Sequence, residues 1–216
     1  GPEALAPTPG APWFCPLGGV AVIASTTYAA MQTAKQLDIS WSKPTHAATT
    51  PSFNEKLRNL VHRPSRRLFD NGDVDRVFED DGITLEAVYE TPFLGHAPME
   101  PPCALADVKN ERVNVWAAVQ DPQSTRDHVA NWLKTDARNV AINVTLLGGA
   151  FGRKSKPDFV LEAVELSRRL RRPIRVQWSR ENDIQHDYYH AANAQLYRTT
   201  LDEEGMHKGW LQRIAF

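Results

Sequence analysis

The sequence predicts an α+β protein, a mixed sheet with packed helices, on three observations. Short apolar runs of strand character recur from residue 83 onward, two segments with apolar residues three or four apart lie between them, and the C-terminal segment reads as a hairpin. Five prolines within the first 16 residues make that stretch an extended lead-in. Gly18-Gly19 then precedes Val20-Ala21-Val22-Ile23-Ala24, an apolar run that reads as a buried strand. Ser25 and Thr26 can cap a helix carrying Tyr28, Ala29, Thr33, Ala34 and Leu37 on one face, and Asp38–Trp41 alternates like a returning strand. Such a unit is too small to bury a core of its own, so residues 1–45 are expected to be the end of a larger domain.

Residues 46–82 read as a linker with one short helix at Ser52–Leu60. Its second half switches from Arg63, Arg66 and Arg67 to Asp70, Asp73, Asp75, Glu79, Asp80 and Asp81. Those acidic positions lack the order and the closing Glu of an EF-hand, which leaves a solvated, turn-rich surface.

Residues 83–216 form the regular domain. Ile83–Tyr89 and Arg112–Gln120 are strand patterns, the second alternating at Val113, Val115 and Ala117. Ser124-Thr125-Arg126-Asp127 resembles a capping box, with Asp in place of Glu, opening a helix that turns Val129, Trp132 and Leu133 inward. Val140–Leu147 is a strand and Asp158–Leu170 a helix, with Phe159, Ala163, Leu166 and Leu170 on one face. Ile174–Trp178 is a further strand, and Leu196–Leu201, the turn Asp202-Glu203-Glu204-Gly205 and Lys208–Phe216 make the hairpin.

The charge balance, 25 basic against 26 acidic side chains, argues against nucleic acid or an anionic membrane as partner. No apolar run reaches the roughly 20 residues needed to cross a bilayer, so the chain is expected to be soluble and not transmembrane. Nor do the first residues read as an export signal. Cys15 and Cys103 are too few for a disulfide framework, a zinc site or an iron–sulfur cluster, and free buried thiols are expected. Both ends read as cuts through a longer protein.

Chemistry concentrates in Gly148-Gly149-Ala150-Phe151-Gly152-Arg153-Lys154, between a strand and a helix. Three glycines in five positions permit positive φ and close approach of backbone N–H groups to an oxyanion, an oxo group or a phosphate. The order of residues excludes a Walker A loop and the Gly-x-Gly-x-x-Gly dinucleotide fingerprint, and a plain strand-to-helix turn is the alternative. Prolines give Thr91–Pro102 an irregular path that carries His96, Met99 and Glu100, and Gln120 ends a strand just before Asp121-Pro122. Arg168, Arg169, Arg171 and Arg172 surround a helix C-terminus, where cations offset the dipole. His186 and His190 are four apart but lack the Glu of a His-Glu-x-x-His pair.

Gly95-His96-Ala97-Pro98-Met99-Glu100-Pro101, Val115-Trp116-Ala117-Ala118-Val119-Gln120-Asp121-Pro122, Leu147–Lys154 and Trp178-Ser179-Arg180-Glu181-Asn182-Asp183-Ile184 follow one another along the chain. In that order they resemble motifs of the molybdopterin-binding large subunit of the xanthine dehydrogenase/aldehyde oxidase family. The closest branch resembles the isoquinoline 1-oxidoreductase beta subunit. The resemblance implies a partial first molybdopterin-binding domain at 83–216, preceded at 1–45 by the end of an α/β hammerhead domain. It implies molybdopterin with molybdenum, in the cytosine dinucleotide form, held by Gln120, Gly148, Gly149, Ala150, Phe151, Gly152 and Arg153, with no protein ligand to the metal. His96, Met99 and Glu100 would line the substrate pocket. Lys154, Ser155 and Lys156 stand where some relatives carry a substrate-orienting Glu, which argues against a purine-type pocket.

The implied activity is oxidation of N-heteroaromatic compounds or aldehydes with water as oxygen source. The general base would lie in the rest of the large subunit, so the fragment alone is expected to be inactive. Implied partners are a small iron–sulfur subunit and a cytochrome c subunit, in the periplasm or at the membrane. A stand-alone, non-catalytic domain using the same scaffold for protein contact is the alternative.

Overall fold

The computed structural model describes residues 18–42, 48–79 and 82–216. The proline-rich lead-in, Cys15 and the Asp80-Asp81 pair lie outside them. The chain divides into two compact units, one comprising the segment up to Ser40 and Gly95–Tyr188, the other Trp41–Leu94 and Tyr189–Phe216.

In the first unit, Thr26 caps α1 (Thr27–Ala34) by accepting from the Ala29 N–H. The helix buries none of its residues. Val20–Ala24 and Asp38–Trp41, expected as strands, pair with nothing among the described residues and form no ladder. An apolar run becomes a strand only when a neighbour takes its N–H and C=O groups, and α1 alone supplies none.

In the second unit, α2 (Thr50–Val61) is opened by Thr49 and Ser52, which cap each other, with Pro51 in the first turn. The acidic stretch contributes α3 (Val74–Val77), capped by Asp73, while Arg67 pairs with Asp70 at 2.8 Å. β1 (Ile83–Thr91) joins this unit's antiparallel sheet, in the order β1, β6 (Asn193–Leu201), β7 (His207–Ala215). Leu57 and Val61 of α2 pack with Ala192, Ala194 and Leu196, flanked by Phe53, Leu211 and Ala215. Much of the stretch expected as a linker therefore forms a layer of this unit, because α2 has an apolar side that the sheet covers. The expected hairpin is present, with Asp202 accepting from the Glu204 and Met206 N–H groups in the turn.

The rest of the first unit holds a four-stranded mixed sheet. It includes β2 (Cys103–Lys109), β3 (Arg112–Ala117), β4 (Val140–Val144) and β5 (Ile174–Gln177), in the order β4, β3, β2, β5. Only the β3–β4 pair is parallel, the crossover running through α4 (Pro122–Leu133). Asp121 caps α4 by accepting from the Ser124 N–H, so the helix opens before the expected box: Pro122 suits a first turn that needs no N–H donor. α5 (Asp158–Leu170) packs chiefly on β2, burying Phe159, Val160, Leu161, Ala163 and Val164 against Ala104, Ala106, Val113 and Val115. Small alanines on β2 let the helix approach closely. The Ser167 hydroxyl then ties helix to sheet, accepting from the Val108 N–H and donating to the Arg172 carbonyl. α6 (Arg180–Gln185), with a Ser179/Asn182 capping box, ends the unit.

β2 has no counterpart among the expected strands, since Ala104, Ala106, Asp107 and Lys109 carry little strand character and Val108 is its one β-branched residue. His186 closes α6 and His190 bridges Leu94, so the two share no helical face. Arg168 and Arg169 both bind Glu165. Trp132 and Trp178 donate their indole N–H to Glu165 and Glu162 and lie against the core. Cys103 is a free thiol, half-buried, with the Arg175 Nε donating to its sulfur at 3.3 Å.

Candidate functional site

The glycine loop leaves the end of β4 and turns into a 3-10 turn, Arg153–Ser155, ahead of α5. Gly149, Phe151 and Gly152 all have positive φ, at 91°, 54° and 99°. Glycine adopts this freely, but a phenylalanine there costs about 1–2 kcal/mol and persists only where its surroundings over-determine it. They do. At one end, Gly148 donates its N–H to Glu100 Oε2 at 3.2 Å and accepts from the Glu100 N–H at 2.8 Å. At the other end, Gly152 donates its N–H to Gln120 Oε1 at 3.1 Å, and the Gln120 N–H donates to the Lys154 carbonyl at 3.0 Å. The Gly152 carbonyl also accepts from the Ser155 hydroxyl at 2.6 Å.

Between these anchors, the N–H groups of Gly149, Ala150 and Phe151 have no acceptor within the chain among the described residues. The bond to Gly152 also settles the Gln120 amide: its oxygen is taken, and the Nε2 hydrogens remain as donors. Gln120 and the Phe151 ring are exposed, whereas Ala150 is buried. The loop therefore holds three uncommitted backbone donors beside the Gln120 amide, a set suited to an oxygen-rich, anionic or oxo-bearing group.

The residues marked in the sequence come together around this loop. A Cβ added at Gly148 would lie 2.6 Å from Glu100 Cβ, one at Gly149 would lie 3.4 Å from the Met99 nitrogen, and one at Gly152 would lie 3.6 Å from His96 Nε2. Met99 exposes its side chain. His96 is held by Asp187, whose carboxylate accepts from the His96 N–H and lies 3.0 Å from Nδ1. Partial burial raises the Glu100 pKa, but hydrogen bonds from Lys154 and Gly148 outweigh it and hold the carboxyl below its usual range.

Arg153 departs from the expectation. Its side chain is fully buried, bound by two 2.8 Å hydrogen bonds to Asp158, with Nε 3.0 Å from Asp187 Oδ1. The guanidinium stacks 5.2 Å from the Trp178 ring centroid and 5.3 Å from that of Tyr188. Its N–H is spent on the Ala150 carbonyl. Arg153 thus braces the loop from behind and is withdrawn from the donor set, because the two buried carboxylates bind it more strongly than an exposed ligand position could.

Three residues outside the expected cofactor and substrate sets also hold the site: Asp187, Lys154 and Arg180. Arg180 donates to the Pro98 and Met99 carbonyls at 2.5 and 3.0 Å and pairs with Asp183. Arg180 and Asp183 lay in a motif already singled out, but the carbonyls that Arg180 holds are 82 and 81 residues away.

A mixed sheet carrying a glycine loop with uncommitted backbone donors, and a glutamine three residues past the end of β3 beside it, fits a binding domain for an oxygen-rich group. The chain belongs to the molybdopterin cofactor-binding domain family, whose model matches residues 55–212. It is 32% identical over 166 residues to the B chain of nicotinate dehydrogenase from Pseudomonas putida, covering 76% of this chain and 14% of that one. It is 24% identical to the beta chain of isoquinoline 1-oxidoreductase from Brevundimonas diminuta, covering 82% of this chain and 24% of the relative. Quinoline 2-oxidoreductase from Pseudomonas putida 86 shares the fold at a TM-score of 0.61 and 22% identity, over 65% of this chain and 18% of its own. The chain thus spans less than a quarter of the length of these relatives. No helix among the described residues is long and apolar enough to cross a membrane.

Proposed function

We propose that this chain supplies part of the molybdopterin pocket of a larger molybdenum hydroxylase polypeptide, which oxidises N-heteroaromatic compounds or aldehydes with water as oxygen donor. One observation carries the reading: three consecutive main-chain N–H groups, Gly149 to Phe151, have no acceptor among the described residues and are flanked by two anchored glycines. A bound molybdopterin would supply the redox chemistry. The chain's own part is to bind and orient. Gly149, Ala150, Phe151 and Gln120 Nε2 would donate to the oxygens of the group, and donors fixed in advance need no reorganisation as charge develops. Met99, Glu100 and His96 line the wall on which substrate would rest.

Names among the relatives support the substrate class: nicotinate dehydrogenase, isoquinoline oxidoreductase, and the molybdenum-binding chain of an Escherichia coli aldehyde oxidoreductase at 29% identity. The remainder of the large subunit would provide the general base. A small iron–sulfur subunit would take the electrons and pass them to a cytochrome c subunit. A cytosine dinucleotide form of the cofactor and a periplasmic location are the further expectations of this branch. A 25% identical membrane-bound aldehyde dehydrogenase of Gluconacetobacter polyoxogenes supports the membrane setting.

The test is to purify the complete large subunit with its partners, measure molybdenum and pterin per chain, and assay pyridine- and quinoline-type compounds and aldehydes with an artificial electron acceptor in ¹⁸O-labelled water. Stoichiometric molybdenum and labelled product are expected from the complex, with neither from the 216-residue chain alone. A metal-free complex would refute the assignment.

A further inference from the structure

Lys154 follows the glycine loop and is 1% exposed, yet its Nζ reaches 54 residues back to Glu100 Oε2, at 2.5 Å. The same oxygen accepts the Gly148 N–H. Glu100 is thus gripped on both sides, its side chain by a buried ammonium and its backbone by the Gly148 carbonyl, while its side chain is 39% exposed. A buried ammonium carries a desolvation cost that a half-exposed partner does not fully offset, and an apolar pair of similar volume commonly gives equal or better stability. A stability role alone therefore does not account for the pair. Its geometry does something else: it fixes the start of a loop whose three uncommitted amides lie among positive-φ positions, strained at Phe151. Arg180 completes the arrangement by holding the Pro98 and Met99 carbonyls, so the segment that receives the loop is itself immobilised.

We propose that Lys154 is a positioning residue: through Glu100 it sets the register of Gly148–Gly152, and so keeps the three loop amides aimed at the bound cofactor, without touching cofactor or substrate. The proposal rests on the molybdopterin reading of the loop. It separates Lys154 from Arg153 beside it, which braces the loop from the core side through Asp158 and Asp187.

The test uses K154M, E100Q and the double variant K154M/E100Q. Each is made in the 216-residue chain and in the complete large subunit. In the chain, hydrogen exchange of the Gly148 and Gly152 amides is measured beside the urea midpoint. In the complete polypeptide, molybdenum and pterin content are measured per chain. The positioning role predicts that K154M speeds exchange at Gly148 by tenfold or more and cuts cofactor content at least fivefold. It predicts further that the double variant, rid of the buried ammonium that E100Q alone leaves unpaired, recovers the urea midpoint lost in E100Q while the faster exchange and the cofactor loss persist. A purely structural pair predicts that all three readouts recover together in the double variant, and that result would overturn the proposal. So would unchanged exchange in K154M, or faster exchange with full cofactor content. Failure of the molybdopterin reading itself shows differently, as a wild-type complex without molybdenum.

Discussion

Gly148→Ala tests the seating of the loop most directly. The added Cβ would stand 2.6 Å from Glu100 Cβ, against an ordinary carbon–carbon contact of about 3.5–4.0 Å. The obstacle is the root of the Glu100 side chain, so rotating χ angles cannot relieve it and one backbone must shift by about 1 Å. Overpacking of that kind costs about 1–3 kcal/mol. The shift also strains the reciprocal pair between Gly148 and Glu100, worth about 1 kcal/mol per bond. Against these stands the smaller conformational entropy of an unfolded alanine, about 0.4–1 kcal/mol in favour of the variant. The net expectation is a loss of about 2–3 kcal/mol, a midpoint shift of about 1 M in urea for a slope near 2–3 kcal/mol/M. Gly19→Ala is the control, since nothing lies within 4 Å of the added carbon there, and it should change stability by less than about 0.5 kcal/mol. A Gly148→Ala chain as stable as the control would mean that Glu100 does not seat the loop.

Burial pushes the Glu162 carboxyl up to about 7, even with Trp178 donating to it at 2.7 Å. Its burial cost is absent below about 4.5, grows through the window from 4.5 to 7 and is complete above, so stability should fall by up to about 3 kcal/mol as pH rises through that range. Glu162→Gln should flatten that part of a stability–pH curve measured by urea unfolding, and a curve unchanged by the substitution would count against a protonated Glu162. Gln120→Glu keeps an oxygen for the Gly152 N–H but exchanges the outward donors for a carboxylate. Chain stability should hold within about 0.5 kcal/mol while molybdenum content of the complete large subunit drops severalfold, and full content would remove Gln120 from the donor set. Arg153→Met would strand the buried Asp158 carboxylate and leave Asp187 with His96 as its partner, at a cost of about 3–5 kcal/mol, read as lost soluble yield or a collapsed urea midpoint. Wild-type stability there would show that the buried cluster is not an ion-pair network.

Elements whose cause is local were legible in the residues alone. α5 occupies the residues its apolar spacing marks out, and the terminal hairpin follows from two strand-like runs around a Gly-containing turn. The glycine loop was legible because positive φ is a property of single residues, and Gly149 and Gly152 adopt it where expected. Whatever needs a distant partner came from packing instead. Val20–Ala24 has strand composition but finds no ladder, while β2, poor in strand-forming side chains, becomes a strand because β3 and β5 take its backbone on both sides. The same holds at the site. Arg153 sits among the expected cofactor residues, yet Asp158 at the start of α5 and Asp187 just past α6 meet around it and turn it inward. Lys154, one residue on, likewise meets a carboxylate far off in the chain, Glu100. Spacing along a chain reports which residues share a helical or sheet face, whereas which buried charge meets which depends on how the layers stack.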